Sequence, residues 1–324
     1  MQQSLPGTRS VARLLGLGNR RPGDTLFRGI TLLLVLFVVV IIAGVVWIII
    51  SNSMLTIQRF GFSFLTNQAF DPVHDVYGVG PAIFGTLVTS AFALLFAVPI
   101  GVGTAIFLVD FCPLAIQRPL AFIVELLAAV PSVIYGLFGF LVLAPWLQGS
   151  AEPWLQKYLG FLPFFQGAFH GLSLFTAGVI LVIMILPLIT SVSREVILTT
   201  PTAQREALLA LGATRWEVIR HAVLPYSRIG ITGGVILALG RALGETMAVT
   251  MVVGNQASPI SPGLFNSGYT LSSVIANQFN EATPGLFFSA VIEAGLLVLL
   301  ITLITNIIAR ILIYRMGRVG GLVA

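Results

Sequence analysis

Six stretches of this sequence are apolar over about 20 residues or more, the length a helix needs to cross the hydrocarbon core of a bilayer at 1.5 Å per residue. They run approximately from Gly29 to Ile50, Pro81 to Val109, Ala121 to Leu147, Leu172 to Val192, Ile229 to Val253, and Pro284 to Tyr314. In hydrocarbon every backbone amide has to bond within its own segment, so such runs fold as membrane-spanning helices. Composition agrees: 57% of the 324 residues are hydrophobic and 9% are charged, where a soluble domain carries roughly 25% charged. The expected fold class is all-α, a polytopic membrane helix bundle with six transmembrane helices. Arg9, Arg13, Arg20, Arg21 and Arg28 precede the first run, as basic residues precede a secretory signal. The run exceeds a signal core of about 7–15 residues and no A-x-A-like site follows, so it reads as an uncleaved anchor.

Arginine placement gives an orientation, because cytoplasmic segments retain Arg and Lys. With the N-terminus inside, the cytoplasmic stretches hold Arg9, Arg13, Arg20, Arg21, Arg28, Arg118, Arg194, Arg205, Arg215, Arg220, Arg228, Arg310, Arg315 and Arg318, fourteen of the 17 basic residues. Arg59 and Lys157 fall outside, and Arg241 lies within a span. Both termini are therefore expected in the cytoplasm. The net charge of +5 then suits anionic lipid headgroups of the bilayer, and without an aromatic–basic platform it makes no case for nucleic acid.

Several chemistries are excluded. The single lysine, Lys157, sits in Trp-Leu-Gln-Lys-Tyr, so the phosphate-cradling G-x-x-x-x-G-K-[ST] turn is missing and ATP is not hydrolysed here by that route. Cys112 alone forms neither an intrachain disulfide nor a cysteine cluster. His74, His170 and His221 are far apart, so no metal site is expected. Glycine and proline interrupt the spans at Pro99, Gly101, Gly103, Pro131, Pro187, Gly233, Gly234, Gly240 and Gly244. Gly240 and Gly244 have the G-x-x-x-G spacing that lets helix backbones approach closely.

The stretch from Arg194 to Arg228 reads REVILTTPTAQREALLALGATRWEVIRHAVLPYSR. Thr200 followed by Pro201 predicts a capped helix start, Gly212 a left-handed helix end, and Thr214 with Glu217 a capping box opening a second short helix that Pro225 stops. The expectation is a helix-turn-helix outside the bilayer. Glu206-Ala207-Leu208, three residues, Gly212, nine residues, then Ala222-Val223-Leu224-Pro225 resembles the E-A-A-x3-G-x9-I-x-L-P loop of binding-protein-dependent type I ABC importer permeases, with Leu208 for the second alanine and Ala222 for the isoleucine. The resemblance implies that Glu206, Ala207, Gly212, Leu224 and Pro225 couple to a separate ATPase, with Arg205 and Arg215 flanking that contact.

Inside the spans remain Glu125, Arg241, Glu245 and Glu293, each costly in a bilayer unless it faces protein or water. Arg241 and Glu245 are four apart and able to pair on one helix face. GRALGETMAV around them, ELLAAVPSVIYGLFG from Glu125 to Gly139, and VIANQFNEA ending at Ala282 resemble the phosphate-specific permease family PstC. A guanidinium is the planar donor suited to phosphate oxygens, so the expected substrate path is Arg241, with Glu245 its resting counter-ion and Thr246 a hydroxyl donor; the alternative is a permease for molybdate, sulfate or phosphonate. Glu125 and Glu293 are given no transport role.

The resemblance further implies a heterodimer with a related, PstA-like permease, two copies of a PstB-like ATPase that carry the ATP and Mg, and a PstS-like phosphate-binding protein outside. Expected divisions are a cytoplasmic segment 1–28, a permease domain 29–315 with its ATPase-coupling loop at about 194–228, and a cytoplasmic tail 316–324. Segments 51–80 and 254–283 are the expected contact for the binding protein, with Thr270 capping a helix from Leu271 to about Ala282.

Overall fold

The computed structural model of the chain describes residues 22–256 and 259–320. Arg9, Arg13, Arg20 and Arg21 lie outside the described residues. The helices of six or more residues are α1 (Pro22–Phe60), α2 (Gly80–Phe111), α3 (Leu114–Ala129), α4 (Ser132–Leu159), α5 (Leu174–Leu198), α6 (Thr202–Ala210), α7 (Arg215–Gly244), α8 (Met247–Val252), α9 (Leu271–Gln278) and α10 (Leu286–Gly320). Among the described residues there is no β-strand, only the isolated bridges Asp71–Val76 and Gly254–Gly268. Six of the helices, α1, α2, α4, α5, α7 and α10, are long and apolar enough to cross a membrane, which bears out the all-α, six-span expectation. α1 begins ahead of the expected boundary at 29, and α10 runs past 315.

The chain divides at Ser51 and Asn52 into two compact units. The described part of the first is helical from Pro22, and its side chains from Leu26 to Trp47 are exposed and almost all apolar, a surface suited to acyl chains rather than water.

In the second unit the core is built on α5. Ile180, Leu181, Met184, Ile185 and Ile189 are buried against Ala93 and Ala97 of α2, Ala238 and Ala242 of α7, and Ala248, Val249 and Val252 of α8. Large residues on α5 facing alanines on its neighbours let the backbones draw close, the packing that works where water supplies no drive for helices to associate. At one end of the bundle Phe64, Tyr77 and Val79 pack with Leu271, Val274, Ala290 and Ala294. At the other, Ala105, Ile106 and Ile197 pack with Val218, Ile219, Ala222 and Val223.

The third span differs from its sequence reading. Val130 and Pro131 are extended, so the expected helix from Ala121 to Leu147 is two helices, α3 and α4. Proline has no N–H and pushes the residue before it out of the α region. Tyr135 repairs the gap by donating its hydroxyl to the Leu127 carbonyl at 2.7 Å. The close-approach glycines also differ. A side chain at Gly240 or Gly244 would meet nothing within 4 Å, whereas a Cβ at Gly230 would lie 2.5 Å from Val196 and one at Gly234 2.8 Å from Val192. Gly230 and Gly234 therefore form the G-x-x-x-G seam of α7 on α5. The helix capped by Thr270 is present with a capping box to Ser273 but ends at Gln278, short of the expected Ala282.

Gly85 of α2 lies under the backbone of the 254–270 segment, where a Cβ would collide with the Tyr269 carbonyl oxygen. Gly85→Ala should destabilise the bundle by the overpacking cost of about 1–3 kcal/mol, read as a lower melting temperature in detergent. Gly103→Ala, in the same helix with open space around it, should leave the melting temperature unchanged or raise it.

Candidate functional site

The loop from Thr199 to Thr214 is compact and unusually exposed. α6 has no buried residue; Glu206 and Ala207 are exposed, as are the large apolar side chains Leu209, Leu211 and Trp216. Gly212 takes a φ of +84 with nothing within 4 Å of where a Cβ would be, so this turn is glycine for backbone reasons and not for space. Thr214 and Glu217 close the expected capping box: Glu217 N donates to Thr214 Oγ1 at 3.3 Å and Thr214 N donates to Glu217 Oε2 at 2.7 Å. Leu209, Leu211 and Trp216 expose apolar surface outside the membrane-spanning part of the bundle. Sequence reasoning missed them, although apolar residues on the outer face of an otherwise polar helix are visible in the string.

Two expectations for this loop are corrected. Thr200 does not cap α6; its hydroxyl lies 3.3 Å from that of Ser227, and Pro201 stands at the cap. Pro225 does not stop the second helix. Residues Ile219–Val223 form a π turn, and the helix passes through Pro225 as far as Gly244. A wider turn ahead of the proline absorbs the missing hydrogen bond and the ring clash that would break a regular helix. The second helix of the loop and the fifth span are thus one rod, α7. Arg215 and Pro225 are exposed and Leu224 is half-buried. Arg205 points away from solvent: its guanidinium is bonded to Asp110 Oδ1 at the end of α2 and to the carbonyl of Ile197 at the end of α5 at 3.1 Å.

The second region lies where α7 ends. Glu245 is extended, with φ −68 and ψ 124, and α8 starts again at Met247. This corrects the expected Arg241–Glu245 pair, which assumed an unbroken helix. Glu245 instead accepts from the Ala248 amide at 3.3 Å, and Thr246 donates to the Gly244 carbonyl at 3.2 Å. Among the described residues Arg241 forms no ion pair; it is half-buried and within electrostatic range of Tyr135. A cavity of about 340 Å³ opens beside the break, lined by Gly244, Thr246, Met247, Ser272, Ile275, Ala276, Phe279, Asn280 and Val298. Of the three expected path residues it takes in Thr246.

Other intramembrane charges were less legible. Glu125 lies 3.8 Å from Arg194, which is closer, at 2.8 Å, to Glu195. Glu293 is buried with Oε2 unpartnered among the described residues. Glu152, beyond the expected end of the third span at Leu147, is fully buried in α4; it faces the Gly171 amide and the Ser173 hydroxyl without closing a well-formed hydrogen bond to either. In the 61–79 segment His74 Nδ1 lies 2.6 Å from Asp71 Oδ2, and this hydrogen bond holds the Asp71 carboxyl below its ordinary range.

Residues 97–318 match the model of the family described as binding-protein-dependent transport system inner membrane component. The chain is 43% identical over 319 residues to the phosphate transport system permease protein PstC of Mesorhizobium japonicum, covering 97% of each chain. The chain belongs to the PstC family. The PstC protein of Haemophilus influenzae is 44% identical over 302 residues, 92% of this chain and 95% of that one. Like its family, the chain is a multi-pass inner-membrane permease component. A crystal structure of a bacterial alginate ABC transporter bound to its alginate-loaded periplasmic protein aligns with a TM-score of 0.60 at 18% identity, covering 92% of this chain and 95% of that chain. The type I permease fold is shared at that distance.

The capping box gives this site a direct test. Thr214→Ala should destabilise the start of α7 by about 1 kcal/mol, read as faster amide exchange at Glu217 and Val218, while the α2–α5 core keeps its protection.

Proposed function

We propose that this chain is a membrane-spanning subunit of an ATP-driven importer of inorganic phosphate, and that it carries no catalytic residue of its own. The observation that carries the reading is family membership over 97% of the chain, together with an exposed α6–Gly212–α7 elbow in a sequence that lacks a phosphate-cradling loop. A chain without a nucleotide site receives work mechanically, through an element that a partner can grip. Glu206, Ala207, Leu209, Leu211, Gly212, Arg215 and Trp216 form that grip for a PstB-like ATPase, two copies of which hold ATP and Mg. Leu224 and Pro225 carry its motion into the spans along the unbroken rod of α7. The elbow and both termini face the cytoplasm, as the arginine distribution requires.

A related PstA-like permease completes a heterodimer. The exposed apolar faces of α3 and α4, including Phe122, Leu126, Ile134 and Leu141, are surfaces for lipid or for that partner. On the far side a PstS-like protein delivers phosphate to the segments around 61–79 and 254–283. ATP-driven closure of the ATPases displaces the elbows and alternately opens the bundle to either side.

Arg241 is the anion contact of this path. A guanidinium inside a span costs roughly 2.5–3.5 kcal/mol on insertion scales unless protein or water meets it, and passing phosphate oxygens accept its N–H groups. The path has to bind weakly enough to release its ion. Glu245 holds the start of α8 and so keeps the break in shape, rather than neutralising Arg241, and Thr246 presents the break to the cavity. Arg241→Ala should lower phosphate uptake at least about tenfold, the effect of one lost charged hydrogen bond, in variants that insert and assemble. Uptake near the unsubstituted rate would remove Arg241 from the path. Labelled phosphate uptake that is competed by molybdate, sulfate or phosphonate as well as by phosphate would assign the subunit to another oxyanion.

A further inference from the structure

α6 is nine residues long with none buried, too short to be a stable helix alone in water, so its position depends on what ties it down. Leu208 packs partly into the cluster of Ile197, Val218 and Ala222. The polar tie is Arg205. Its two terminal nitrogens straddle two spans: Nη1 bonds Asp110 Oδ1 in the π turn Phe107–Phe111 at the end of α2, and Nη2 donates to the Ile197 carbonyl at the end of α5. The side chains of Arg205 and Asp110 are only 20% and 13% exposed, and Asp110 Oδ2 is buried with no other partner among the described residues. This is a shielded pair with a forked donor, unlike the solvated surface pairs that contribute little. Above it, α2 and α5 pack together along their length through Ala93, Ala97, Ile180, Met184 and Ile189. Whatever displaces α6 therefore pulls on the ends of both helices.

We infer that the Arg205–Asp110 pair is the strut through which displacement of α6 reaches α2 and α5, separate from the route through Gly212 into α7. Arg205 and Asp110 are positioning residues: neither meets substrate or ATP, and Arg205 serves the inner side of α6 while Glu206 and Leu209 serve its exposed side. The inference rests on the reading of α6 as the ATPase contact.

The test uses the complete transporter reconstituted in liposomes, with phosphate taken up and ATP hydrolysed measured in the same vesicles. Asp110→Ala should assemble with the ATPase and hydrolyse ATP, while phosphate moved per ATP falls severalfold, because the charge-assisted tie from α6 to α2 is gone. The exchange Arg205→Asp with Asp110→Arg should recover most of that ratio. Asp110→Asn, of the same shape, serves as the second variant and should lose part of the ratio. An unchanged ratio in either assembled single variant, or an exchanged pair that assembles and recovers nothing, overturns the strut. Loss of assembly in all three also overturns it, by assigning the pair to folding alone. If the unsubstituted complex shows no ATP-driven phosphate uptake, the importer reading fails instead.

Discussion

Hydrocarbon offers a peptide group no hydrogen-bonding partner, and an unbonded amide or carbonyl there costs several kcal/mol. Each helix in this bundle can therefore be interrupted only where a side chain supplies the missing bond. The break at Val130–Pro131 is closed by the Tyr135 hydroxyl on the Leu127 carbonyl. The break after Gly244 is closed by Glu245 on the Ala248 amide and Thr246 on the Gly244 carbonyl. At Pro225 no break forms, because the π turn ahead of it accommodates the ring. Pro131 and Gly244 thus mark true breaks whose freed groups polar side chains bond, whereas Pro225, like Pro99 and Pro187, sits within a continuous helix and does not interrupt its span as expected.

The same constraint links architecture to function. The break in the fifth span brings Gly244 and Thr246 to the wall of a cavity, within a segment that also carries a half-buried arginine. An unbroken α7 joins that region to an exposed elbow at one end of the bundle, and α5, the most buried of the spans, packs against both α2 and α7. Membership in the PstC family supplies the cargo, phosphate; the two mechanical connections proposed for a partner ATPase run through α7 and through the Arg205–Asp110 pair.

Much of the fold was legible in the string because the signals are long. Six apolar runs survive errors of several residues at each end, and the capping boxes at Thr214 and Thr270 rest on side chains that act locally. What failed depended on neighbours that the sequence does not name. Gly240 and Gly244 have the same spacing as Gly230 and Gly234, but only the latter pair meets Val192 and Val196. Arg241 and Glu245 have the spacing of a helical ion pair, but the helix ends between them. Asp110 is a lone acid at a span end whose partner stands 95 residues away, and Glu152 lies beyond the apolar run that ends at Leu147 although its helix continues to Leu159.

The central claim is that work enters this subunit from ATP hydrolysed on another chain. It is tested most directly by measuring phosphate uptake into liposomes holding the purified complex, with ATP enclosed or with a proton gradient alone. The account predicts uptake that requires ATP and survives a protonophore. Uptake driven by the proton gradient without ATP, and abolished by the protonophore, would contradict it.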